Sequence, residues 1–212
     1  MTIDRRQFLG AAATGVTACL AGSVRLRGDE VPKEYQATVA KGLDWVSKNQ
    51  ARDGHWEANG GQYPSAMTGL GGMALLMEGS TLREGKYADH IRRATDWLMD
   101  RSQSNGLLAN PNVAAEAGRY MYGHGFGTLF LAQVYGEEED NDRRRKLEDV
   151  LTRAVGFIGK AQSSRGGWYY TSAADGHDAD EGSVTVPASP CPRARSTRRS
   201  STWNTPPRTT AA

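Results

Sequence analysis

The sequence predicts an all-α fold assembled from helix pairs, and three observations predict it. One unit of sequence occurs three times along the chain. Within each unit the apolar residues fall at helical spacing, and no segment alternates with period two for long enough to make a strand. The first copy runs Lys41-Gly42-Leu43-Asp44-Trp45-Val46 and continues through Gln50 and Gly54 to Trp56. The third runs Arg153-Ala154-Val155-Gly156-Phe157-Ile158 through Gln162 and Gly166 to Trp168. The middle copy keeps Arg93, Trp97-Leu98 and Gly106, but has Ser102 in the Gln position and Leu108 in the Trp position.

Taken in order, the first amphipathic helix begins after Pro32 and carries Val39, Leu43 and Val46 on one face. A nearly all-apolar helix follows, Thr68 to Leu76, stopped at Gly79. The second amphipathic helix shows Tyr87, Ile91, Ala94 and Leu98, and its apolar counterpart, Gly125 to Ala132, stops at Gly136. The third amphipathic helix starts at Asn141 and shows Leu147, Val150, Leu151, Ala154, Phe157 and Ile158. Amphipathic helices alternating with apolar ones are what a two-layered ring requires, with the apolar helices inside and their glycines permitting close backbone approach.

Both ends differ from this pattern. Asp4-Arg5-Arg6-Gln7-Phe8-Leu9-Gly10, followed by a small-residue apolar stretch from Ala11 to Val24, resembles a twin-arginine export signal, with Asp4 and Gly10 departing from the usual motif. Residues 1–30 are therefore read as a signal segment, implying a periplasmic or secreted destination. Val16-Thr17-Ala18-Cys19 also fits a lipoprotein box, which would lipidate Cys19 and attach the mature chain to a membrane; the competing reading is cleavage near Ala21 with Cys19 lost. Residues 187–212 hold nine Ser or Thr, five Arg and five of the chain's eight Pro, with no Leu, Ile, Val, Met, Asp or Glu. Such a segment has nothing to bury and is expected to stay unfolded. It reads either as a basic linker or as a shifted reading frame after Val186. The repeat region is then 31–186, its third unit incomplete. With the third inner helix cut short, the stripe Leu147, Val150, Ala154, Phe157 and Ile158 is expected to be poorly covered, and the product to aggregate or be trimmed.

Composition closes off several function classes. With 26 Lys or Arg against 24 Asp or Glu the net charge is +2, which gives no basic field for nucleic acid. Cys19 and Cys191 sit at opposite ends and frame neither a disulfide scaffold nor a zinc knuckle. No Gly-x-Ser-x-Gly elbow, phosphate loop or Cys-Gly-Glu-Gln run occurs.

The Gln-x-x-x-Gly-x-Trp element, preceded by basic-small-x-x-aromatic-aliphatic, resembles the QW repeat of squalene and terpenoid cyclases and the related repeat of protein prenyltransferases, over residues 33 to 186. The resemblance implies a partial α–α toroid in which Gln50, Trp56, Gln162 and Trp168 are structural clamps. The prenyltransferase zinc, held by Asp, Cys and His, is not expected, because residues 33 to 186 contain no cysteine. No cofactor and no metal are expected.

The densest polar cluster is Asp175-Gly176-His177-Asp178-Ala179-Asp180-Glu181-Gly182. Class II cyclases protonate substrate with Asp-x-Asp-Asp, and Asp178-Ala179-Asp180-Glu181 comes near it, with Glu in the last place; by that resemblance Asp178, Asp180 and Glu181 are candidate catalytic acids. The other readings are a hydrated loop capping the next helix and a loop metal site using His177 and carboxylates. His124, among glycines, and His177 are candidate ligand-binding residues. The function expected is a non-catalytic binding or scaffold module that holds an apolar small molecule or a protein partner. The alternative is a cyclase-like enzyme using the Asp178–Glu181 cluster.

Overall fold

A computed structural model describes residues 31–188. Their regular elements are α1 Lys33–Lys48, α2 Pro64–Met77, α3 Ala88–Asp100, α4 Tyr120–Tyr135, α5 Asn141–Ala161, a 3₁₀ turn Ala173–Asp175 and α6 Gly182–Ala188. Among the described residues the extended pairing is one bridge between Ala58 and Gln62, so the fold is all-α. The twin-arginine segment, Cys19 and residues 189–212 lie outside the described residues.

The chain divides into two compact units after Ala40. In the first, the described residues begin α1, with Tyr35 and Val39 exposed and Gln36 Nε2 donating to the Val31 carbonyl at 3.1 Å. Val39 therefore does not join the buried stripe expected of it. The helix pairs belong to the second unit.

Local sequence explains the helix limits. Asp140, one residue before the expected start, caps α5 by accepting from the Asp142 and Arg143 N–H groups at 3.1 and 2.8 Å. Pro64 opens α2 in a position where no helical N–H is needed. On α3, Ile91, Ala94 and Leu98 are fully buried at spacings of three and four, and each large side chain so buried contributes about 1.5–3 kcal/mol.

The inner helices lie in a row. α4 is central and packs on α2, α3, α5 and α6. The α2–α4 approach is close enough that a Cβ on Gly69 would stand 2.6 Å from the Phe126 carbonyl, and one on Gly72 would meet the Phe130 ring at 2.5 Å. The propensity lost by putting glycine inside a helix is offset by this contact.

The third amphipathic helix departs from expectation. Leu147, Val150, Ala154 and Ile158 are all 2% exposed or less. Their cover comes from the preceding inner helix rather than the following one: Leu147, Val150 and Ala154 share a core with Leu131 and Val134 of α4, and Ile158 lies with Met121 of α4, Trp168 and Val184. The helical pattern also runs two residues past its expected end, since Pro187 and Ala188 are buried in α6 and the bare Cα of Gly125 leaves room for the proline ring.

The three junctions share one construction. After each amphipathic helix a tight turn is closed by Gly54, Gly106 or Gly166, with φ of 105°, 94° and 97°, values that favour glycine. Main-chain bonds repeat in register: Ala51 N to His55 O at 2.8 Å, Gln103 N to Leu107 O at 3.0 Å, Ser163 N to Gly167 O at 2.9 Å. The indole N–H of Trp56 donates to the Val46 carbonyl at 2.7 Å, and that of Trp168 to the Ile158 carbonyl at 2.8 Å. Each tryptophan thus satisfies a carbonyl near its own helix's end while burying its ring.

Candidate functional site

The acidic segment between the 3₁₀ turn and α6 folds back over the third junction. Asp178 Oδ1 accepts from the Ser164 N–H at 2.6 Å. Asp180 Oδ1 accepts from the Ser163 hydroxyl, and its Oδ2 pairs with Arg165 Nε at 3.3 Å. Glu181 Oε1 accepts from the Ser183 hydroxyl at 3.1 Å, at the start of α6. The three candidate acids therefore go to separate donors, and Asp178 and Asp180 stitch the loop to the junction rather than sharing one site. Asp175, just upstream, accepts from the Tyr120 hydroxyl. That phenol is held well above its ordinary pKa, by burial first and then by its bond to Asp175.

His177 is exposed; its Nδ1 lies 3.0 Å from the Thr171 hydroxyl, and its ring is stacked 6.3 Å from Tyr169. It borders an aromatic patch that the sequence reading missed. Tyr169 and Tyr170 are 4.6 Å apart, Tyr170 and Tyr122 5.7 Å, and Arg119 lies 5.0 Å over the Tyr170 ring. Burial and then Glu181 raise the Tyr170 pKa. The signal available was the Trp168-Tyr169-Tyr170 run directly after the clamp. The structure brings His177 to this patch and leaves His124 elsewhere.

His124 is fully buried in α4. Its Nδ1 accepts from the Leu108 N–H at 3.1 Å, so its Nε2 carries the proton and donates to the Ala154 carbonyl at 3.2 Å. Both ring nitrogens are thereby engaged by main chain. The same position in the other junctions is held by threonine: Thr68 Oγ1 accepts from Trp56 N at 3.0 Å and Thr185 Oγ1 from Trp168 N at 3.1 Å. In the middle copy, where Leu108 replaces tryptophan, the imidazole supplies the acceptor. Burial holds the His124 pKa down at about 4, so the ring is neutral.

Glu116 was also missed. It is 3% exposed, accepts from Ser65 N at 2.9 Å and Asn110 N at 2.7 Å, and has Arg101 3.9 Å away. Ser65 lies in the first turn of α2, where unpaired N–H groups and the helix dipole favour an anion. No periodicity announces such a residue, because its partners are 6 and 51 positions away. Among the described residues no three His, Cys, Asp or Glu side chains converge as a metal would need. No helix there is long and apolar enough to cross a membrane.

Against known proteins, 88 residues of the chain, 42% of it, are 30% identical to human lanosterol synthase. The match spans 12% of that enzyme's length. No protein-family model and no solved structure matches the chain. The likeness is to a cyclase-like family.

Proposed function

We propose that the helix pairs form part of an α–α toroid that binds an apolar small molecule or a protein partner on its inner helices without catalysis. The observation that carries this reading is on α2. The helix contains no charged residue, yet Leu70 and Met77, seven positions apart and hence on one face, are 39% and 82% exposed. An inner helix that keeps apolar side chains in water has surface available for an apolar ligand. Titration with a fluorescent isoprenoid alcohol tests it: Leu70→Asp with Met77→Asp should weaken binding more than tenfold and leave the melt unchanged. Equal binding by the variant would defeat the proposal.

The second reading, a cyclase-like enzyme using Asp178, Asp180 and Glu181, is favoured by the likeness to lanosterol synthase. Incubation with squalene followed by mass spectrometry decides between the two. A cyclised isomer that disappears in Asp180→Asn would establish catalysis.

We further propose export through the twin-arginine route, supported by Arg5 and Arg6. Residues 1–30 fused to a folded reporter should deliver it to the periplasm, and Arg5→Lys with Arg6→Lys should stop it. Radiolabelled palmitate incorporation decides whether Cys19 is lipidated.

A further inference from the structure

Each amphipathic helix plugs into the junction before it. Arg93 of α3 donates to Gln50 Oε1 at 2.6 Å, and that oxygen lies 2.6 Å from His90 Nδ1. Gln50 Nε2 in turn donates to the His90 carbonyl at 2.9 Å. Arg153 of α5, in the same register, donates to the Gln103 carbonyl at 2.7 Å. The aromatic residue four positions on completes the plug. Trp97 stacks on His55 at 5.0 Å and donates to Asp53 Oδ2 at 3.2 Å, while Phe157 meets His124 edge-on at 4.8 Å.

The third junction has the socket without the plug. Gln162 is 8% exposed, and its Nε2 donates to the Gly166 carbonyl at 2.8 Å, as Gln50 does to Gly54. Its Oε1, the counterpart of the oxygen that Arg93 and His90 satisfy, is buried with no hydrogen-bond partner. A buried acceptor left unsatisfied is costly and calls for a donor. Beside it lies an open cleft of about 360 Å³ lined by Lys160, Gln162, Ser164, Ala173, Ala174 and Asp178. The first copy has the converse defect. Lys41, in register with Arg93 and Arg153, is exposed, and Trp45, in register with Trp97 and Phe157, is 65% exposed.

We propose that the Gln162 socket receives the Lys41–Trp45 face of α1 from a second copy of this chain, with the Lys41 ammonium donating to Gln162 Oε1 and the Trp45 ring lying against Arg165 and Gly167. The occupant is a second copy because this chain itself carries the matching plug, unused, in the register that fills both internal sockets. Gly156 stands where Asp44 and Asp96 anchor the following helix through Lys86 and Arg143. The intermolecular junction is therefore weaker than either internal one. The proposal does not depend on the ligand or on catalysis.

Sedimentation equilibrium of the full chain tests it. The 23.0 kDa chain should self-associate with rising concentration. Trp45→Ala and Lys41→Glu, both at exposed positions, should each weaken association at least tenfold with helicity and melting unchanged. Lys41→Arg, which restores the guanidinium used at the internal junctions, should strengthen it. A monomer at every concentration, or association indifferent to all three variants, would overturn the proposal. Association abolished by removing residues 189–212 but untouched by the Trp45 and Lys41 variants would overturn it equally, by assigning the socket to that segment.

Discussion

At position 124 a neutral imidazole is held between a donor and an acceptor of the main chain, and this has a consequence for stability against pH. The ordinary histidine value of 6.5 falls to about 4 in the fold. Between those values the unfolded chain binds a proton that the folded one refuses, so stability falls as pH drops from 6.5 towards 4 and is unaffected above 6.5. The full effect is about 3 kcal/mol. Urea denaturation at pH 7 and pH 5 should show this loss. His124→Gln keeps one acceptor and one donor without titrating and should abolish that component; an identical pH slope in the variant would show that another group is responsible. Glu116 gives a second prediction at this scale. Glu116→Ala strips two buried N–H groups of their acceptor and leaves Arg101 without its carboxylate, so denaturant melts should show a loss of about 3–5 kcal/mol. A histidine among glycines was visible in the sequence as unusual. Its partners were not, since Leu108 and Ala154 lie 16 and 30 positions away.

Helices and junctions carry the next prediction. Trp56 and Trp168 are 5% and 2% exposed and make equivalent bonds, so Trp56→Ala and Trp168→Ala should each cost about 3–5 kcal/mol in a denaturant melt. Leu108 makes no such bond, and its truncation should cost about 2–5 kcal/mol through the cavity alone. Gly106→Ala should be more damaging than an ordinary turn substitution, because φ of 94° is strained for alanine and the new methyl would overlap the Arg153 carbonyl. A wild-type melt from Gly106→Ala would remove the close approach of α5 to the turn. At this scale much was legible. The apolar spacing marked α3 and α5, glycines marked the ends of α2 and α4, and the repeat marked the junctions. What was missed was cover for the α5 stripe: the sequence reading sought it in the helix that follows, and α4 supplies it from before.

For the whole molecule, α4 is the hub, and opening it exposes the cores shared with α2, α3, α5 and α6. Amide hydrogen exchange should find its N–H groups the most protected and those of α1, which has no buried residue, the least. Fast exchange throughout α4 would contradict the packing. The burial of Leu147, Val150, Ala154 and Ile158 also removes the ground for expecting this helix to drive aggregation. By itself the sequence determined the all-α class, the positions of the helices and which face of α3 and α5 is apolar, because helical period, caps and glycine stops act within a few residues. It also marked the acidic segment as polar and clustered. Only the tertiary structure decided that Asp178 and Asp180 bind Ser164, Ser163 and Arg165, that an imidazole does the work of a threonine in the middle junction, and that Gln162 Oε1 is left without a donor. The physical reason is range: each of these bonds joins or awaits groups from different elements, and a hydrogen bond's direction and burial are set by packing rather than by neighbours in the chain.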